Sequence, residues 1–230
     1  MFSNNLLMAA GGGRVVPAAA TFAASYTTGT NASSFTQAGA SIGTASSDRK
    51  VVVCAFATGG GVSTISGVTI GGNAMTQVVL AALDGEGQMG IYEYELNTGT
   101  TATIVINATG TKGEFGMAIF AVTGAALTVN DTASTSGDLT PNTTIDCSAN
   151  GIIIGGSNGG SGSNPTSAAW TNLTERSDDI PPYGGGPYSN IVYTSACDDF
   201  DTIQAGRAIS VAFNAAPGDA TMCLASWDQA

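Results

Sequence analysis

The chain has 230 residues, with 6 Lys and Arg against 17 Asp and Glu, for a formal net charge of −11. Such a balance offers no basic footprint to a phosphate backbone and nothing to attract an anionic membrane surface, so nucleic acid and membrane are excluded as partners. There is no His, which removes Ser-His-Asp and Cys-His catalysis together with every His-based metal site.

The first element in chain order is residues 1–17. A short apolar patch, Leu6, Leu7 and Met8, is followed by Gly11, Gly12, Gly13 and then Pro17. The glycines give a flexible hinge, so the segment reads either as a short flexible arm that docks on a partner or as a disordered N-terminus. As an arm, each of its three apolar side chains would contribute on the order of 1.5–3 kcal/mol when buried, before the cost of ordering. The first basic residue, Arg14, comes after the apolar run. A signal peptide has the opposite order and a longer apolar core, so synthesis in a cytoplasm without export is expected.

From residue 18 onward, short strand patterns follow one another. Thr21–Thr28 is a first candidate. Lys50–Thr58 (KVVVCAFAT) is apolar on both faces, as in a buried central strand. Val68–Ile70 runs into Gly71-Gly72-Asn73, a tight-turn signal, and then into Ala74–Ala82. Gln88–Leu96 alternates, with Tyr92, Tyr94 and Leu96 on one face and Ile91, Glu93 and Glu95 on the other. Thr101–Asn107 alternates again, and Glu114–Thr123 is a second strand apolar on both faces. Leu127–Ala133, Thr143–Cys147, Gly151–Gly155, Ala168–Glu175, Tyr188–Thr194, Arg207–Phe213 and Thr221–Trp227 complete the set. The longest breaks, Ser157–Ser167 and Asp178–Pro187, have loop composition.

No helical periodicity is sustained, and 32 residues are Gly, as short strands joined by many turns require. The expected fold is all-β: an antiparallel two-sheet β-sandwich over 18–230, a single domain, with residues 1–17 as arm and linker. A chain of this length needs neither disulfide nor metal to supply a core. Cys54, Cys147, Cys197 and Cys223 have no metal-knuckle spacing; two disulfides would be possible, but each Cys sits in or beside an apolar run, which points to buried free thiols.

Several residues are candidates for chemistry. Glu93 and Glu95 lie two apart on one strand, roughly 7 Å at about 3.4 Å per residue, a spacing that resembles a glycosidase pair. A pair on one strand flanks no cleft, so a solvated strand face is the expectation. Asp198, Asp199 and Asp201 form the densest acidic cluster, a weak calcium candidate without the EF-hand pattern. The Gly triplets lack the Lys-Ser/Thr and the helix of a phosphate loop. Trp170, Tyr183 and Tyr188 lie beside loops and form a possible glycan platform. No catalytic residue and no cofactor is expected.

The order SDRKVVV (47–53), ISGVTIGGNAMT (65–76), Met89–Leu96, MAIFAVTG (117–124), GIIIGGS (151–157), WTNLTE (170–175) and LASW (224–227) resembles β-sandwich virion structural proteins of tailed bacteriophages of marine bacteria, and NNLLMAAG (4–11) resembles the N-terminus of phage tail-associated and other virion proteins. The resemblance implies a jelly-roll-like sandwich on a virus particle, made in the host cytoplasm, and no catalytic residue. It implies a capsid decoration (cement) protein or another head- or tail-surface protein, trimeric or higher. Its partners would be copies of itself and the major capsid or tail proteins. The alternative is a tail-associated module that attaches to host surface glycans.

Overall fold

The structure, a computed structural model, describes residues 17–59, 64–82, 87–137, 139–162, 165–182 and 191–229. The described residues contain strands and no helix. The first nine strands are β1 (Ala19–Thr28), β2 (Ala32–Ser41), β3 (Lys50–Thr58), β4 (Ile65–Ile70), β5 (Asn73–Ala74), β6 (Thr76–Ala82), β7 (Gly87–Glu95), β8 (Thr101–Lys112) and β9 (Glu114–Thr123). After Gly124 come β10 (Ala125–Ser136), β11 (Asn142–Cys147), β12 (Gly151–Gly162), β13 (Ala168–Thr171), β14 (Thr174–Asp179), β15 (Val192–Phe200), β16 (Gln204–Phe213) and β17 (Pro217–Gln229).

The expected antiparallel sandwich is present, and the chain builds it twice. β1 pairs with β9, β2 with β8, β3 with β7 and β4 with β5, a long antiparallel ribbon folded on itself. Wrapping that ribbon adds the pairs β3–β9 and β4–β8, which is how a jelly roll closes its two sheets. The second half repeats the scheme: β10 pairs with β17, β11 with β16 and β12 with β15, and wrapping adds β12–β17 and β13–β16. Each half thus has a five-stranded inner sheet, ordered β1-β9-β3-β7-β6 or β10-β17-β12-β15-β14. Each also has a smaller outer sheet, β2-β8-β4-β5 or β11-β16-β13. We call residues 19–123 the N-module and 125–229 the C-module.

The inner sheets pack face to face, so the layers run outer, inner, inner, outer. Three apolar cores fill the three gaps. On β3, Val52, Cys54 and Phe56 enter the seam between the modules, whereas Val51, Val53 and Ala55 face the N-module's outer sheet. On β12, Ile152 and Ile154 enter the seam and Ile153 faces the C-module's outer sheet. This is why these strands are apolar on both faces. The second face of each is covered by the chain's other module.

The duplication is visible in spacing. Ile104, Ile106, Met117, Ile119 and Val122 recur at equal separations as Ile209, Val211, Met222, Leu224 and Trp227. Each pair occupies the same kind of core position, the first four between a module's inner and outer sheets and the last in the seam.

Four of the differences from the sequence reading have a clear local cause. β2 carries little strand signal, because an outer-sheet strand of sequence ASSFTQAGAS supplies few large apolar residues. β12 continues through Gly162, although Ser157–Gly162 has loop composition. It is packed on both faces, and its glycines admit bulky neighbours: a Cβ on Gly156 would lie 2.3 Å from Met89 Cε, and one on Gly159 2.7 Å from the Phe213 ring. Ala168–Glu175 is two strands, because Asn172 at φ 68° turns the chain from the outer sheet into the inner one. β15 extends through Phe200, so Asp198 and Asp199 lie on a strand rather than in a loop. The tight turn at Gly71 and Gly72 forms as expected, with φ of 56° and 84° joining paired Ile70 and Asn73.

All four cysteines are buried free thiols. Cys54, Cys197 and Cys223 lie in the seam and Cys147 in the C-module core. Burial pushes Cys223 up to about 12 and Cys147 up to about 11. The thiolate is the reactive form, so the folded chain should resist alkylation at pH 8. Four groups should react after denaturation without reductant. A thiol titration that reads zero at that point would show two disulfides instead.

Candidate functional site

The residues singled out for chemistry are placed apart from one another. Leu6, Leu7 and Met8 of the arm, and Tyr183 and Tyr188 of the aromatic platform, lie outside the described residues. Trp170 sits on β13, half-buried against the C-module core. Its indole Nε1 donates to Thr194 Oγ1 at 2.8 Å, and its ring lies over Gly155, where a Cβ would come within 2.9 Å of Cζ3. The ring fills space left by a glycine, as a packing aromatic does.

Glu93 and Glu95 part company. Glu95 is exposed, while the Glu93 carboxylate turns into the rim of the seam, with a side chain 12% exposed. Its Oε2 takes the Lys50 ammonium at 2.9 Å and the indole N–H of Trp227 at 2.7 Å. Glu93 is thus an acceptor between the modules, not part of a solvated face. The sequence hid this because its partners come from β3 and β17. An open recess of about 300 Å³ lies beside it, lined by Lys50, Thr76, Glu93, Tyr94 and Glu95.

The three aspartates of the calcium candidate also diverge. Adjacent strand residues point to opposite faces. Asp198 Oδ2 accepts Thr174 N–H at 2.9 Å on β14, with Arg176 at 3.9 Å from its other oxygen. Asp199 Oδ1 accepts Ala20 N–H at 3.1 Å across the seam, and burial raises its pKa. Asp201 is exposed in the turn to β16. Among the described residues no group of three His, Cys, Asp or Glu side chains is placed to hold a metal ion.

A common use of acidic residues emerges. Asp48 accepts Gly124 N–H at 2.8 Å, Asp131 accepts Asp146 N–H at 2.8 Å, Asp146 accepts Gly206 N–H at 2.6 Å, and Asp178 accepts Ala168 N–H at 2.8 Å. Backbone N–H groups at strand ends and bulges lack ladder partners, and a carboxylate supplies a strong, charge-assisted acceptor. The Ser46 hydroxyl, followed by Gly124 N–H, holds the Asp48 carboxyl below its ordinary value. Much of the acidity read from composition is therefore structural.

At the opposite end of the seam is a buried polar relay. The Tyr193 hydroxyl and Thr58 Oγ1 lie 2.7 Å apart, and Thr58 Oγ1 is 3.1 Å from Glu114 Oε2. Thr58 has one hydroxyl proton, so Tyr193 donating to Thr58 lets Thr58 donate to the carboxylate. All three side chains are buried, and the Tyr193 ring stacks on Phe56 with centroids 4.9 Å apart. The relay crosses between the modules, which gives its polar groups a structural use.

Two further recesses lie on the outer sheets. One of about 490 Å³ is lined by Asn142, Thr144, Thr171, Asn172 and Ser210 among others. The other, of about 440 Å³, includes Ser66, Thr69, Gln77 and Asn107. Hydroxyl and amide groups lie among apolar ones in both. Compared with known protein families, curated proteins and solved structures, the chain matches none.

Proposed function

We propose that the chain is a non-enzymatic structural protein of a bacteriophage virion, a capsid decoration (cement) protein or another head- or tail-surface protein. The observation that carries the reading is the tandem jelly roll in which the candidate reactive side chains serve as ties between strands and modules. Glu93, Asp198, Asp199 and Trp170 each hold one element to another. Jelly rolls recur in viral capsid proteins, although a fold alone assigns no function.

Two features add support. The outer face of β8 exposes Thr101, Thr103, Thr109 and Thr111, small uncharged groups that bring little repulsion to a crowded surface. Four unpaired cysteines suit a chain that folds in a reducing host cytoplasm.

The test is quantification in purified phage particles by mass spectrometry. A decoration protein is present in numbers comparable to the major capsid protein. Deletion of residues 2–10 should leave a folded chain that no longer joins the particle. Absence of the full-length chain from particles overturns the reading. A few copies confined to the tail would assign it to host attachment instead.

A further inference from the structure

The geometry points to the seam as a pairing surface in its own right, and the partner that each inner sheet fits is a jelly roll of the chain's own kind. We infer that the two modules form a fused dimer whose association does not depend on the covalent link between them.

Three observations carry this. First, the strand orders of the two modules match one to one, save for the two-residue β5. Second, part of the contact set across the seam is reciprocal. β6 lies beside β10 as β1 lies beside β14, β7 touches β17 as β9 touches β15, and β3 touches β12. Exchanging each strand for its counterpart maps these contacts onto one another, as in an approximate two-fold interface, while β6 with β17 and β7 with β12 meet more extensively than their counterparts do. Both modules also run the same way, because the ends of β3 and β15 meet where Thr58 touches Tyr193.

Third, the seam has the anatomy of a permanent interface. Its centre is apolar, with Phe56, Met89 and Phe120 of one module against Ile154, Cys223 and Trp227 of the other. Its rim is polar and bonded: Trp227 to Glu93 and Ala20 to Asp199 near one end, Thr58 with Tyr193 at the other. Permanent interfaces resemble a domain core cut in half, with a hydrogen-bonded edge. Among the described residues no sheet contains strands from both modules, and Gly124 joins one module to the other along the chain.

The test uses the full chain with a specific protease site inserted after Gly124. After cleavage the two fragments should co-elute at the volume of the intact chain, with Cys54, Cys197 and Cys223 still protected from alkylation. Separation of the fragments, or exposure of those thiols on cleavage, overturns the inference. Hydrogen exchange on the unaltered chain guards against a failed insertion. β3 and β12 should exchange only through one shared global opening. Independent opening of either inner sheet would show that the link, and not the seam, holds the modules together.

Discussion

Replacing Gly116 with Val should lower the melting temperature of the chain by roughly 2–12 °C. Gly116 lies on β9 opposite Phe56, and its missing side chain makes room for Tyr193 from the other module. A Cβ at this position would fall 2.4 Å from Tyr193 Cδ2, 2.8 Å from Cε2 and 3.2 Å from Cγ. These atoms belong to a rigid ring that cannot swing aside at low cost. The ring must move as a body, which breaks its stack on Phe56 and draws its hydroxyl away from Thr58. Overpacking a dense core costs typically about 1–3 kcal/mol, and about 2–4 °C accompanies each kcal/mol in a chain of this size. Gly116→Ala should show a smaller change in the same direction. Calorimetry of both variants reads the effect. An unchanged melting temperature in Gly116→Val would mean that the modules separate easily, and would count against the tight seam.

The same seam shows what the sequence revealed and what it concealed. The all-β class was legible because β-branched runs such as VVV at 51–53 and III at 152–154 alternate with turn residues and never take a helical period. The doubling also has a sequence signal. A strand buried on both faces needs a layer on each side, and a two-sheet sandwich supplies only one. Lys50–Thr58, Glu114–Thr123 and the start of Gly151–Gly162 all carried that signal. The repeat is faint because the modules share core positions rather than residues: Val122 corresponds to Trp227, and Ile119 to Leu224.

The site residues were less legible, for a different reason. Asp198 and Asp199 form a cluster only along the chain. On a strand they separate, and each is claimed by a backbone N–H from another element. Glu93 reads as exposed by alternation, and only the tertiary placement of Lys50 and Trp227 turns it into a tie. Local patterning reports which face a residue occupies. It does not report what has been packed against that face.

Arg49 is the residue whose replacement should cost most for its size. It is 1% exposed and sits just before β3. Its Nε donates to Leu96 O at 2.6 Å, Nη1 to Gly43 O at 3.0 Å and Gly99 O at 2.9 Å, and Nη2 to Thr98 O at 2.7 Å. One guanidinium thereby closes two connections, from β2 to β3 and from β7 to β8. Burial lowers its pKa, yet a guanidinium remains charged in proteins, so all four bonds are charge-assisted. Arg49→Met keeps most of the stem volume and removes every donor. The stranded carbonyls are partly buried, so water recovers only some of the loss, and about 3 kcal/mol is expected. That corresponds to about 6–12 °C in melting temperature. Arg49→Lys should recover only a fraction, because a point charge with three donors does not span a fork of this width. Limited proteolysis gives a second readout: residues 42–48 and 96–100 should become the first sites of cleavage in Arg49→Met. A variant that melts with the wild type and resists cleavage there would show that the two connections hold themselves, and that the carbonyl cage around Arg49 is incidental to the fold.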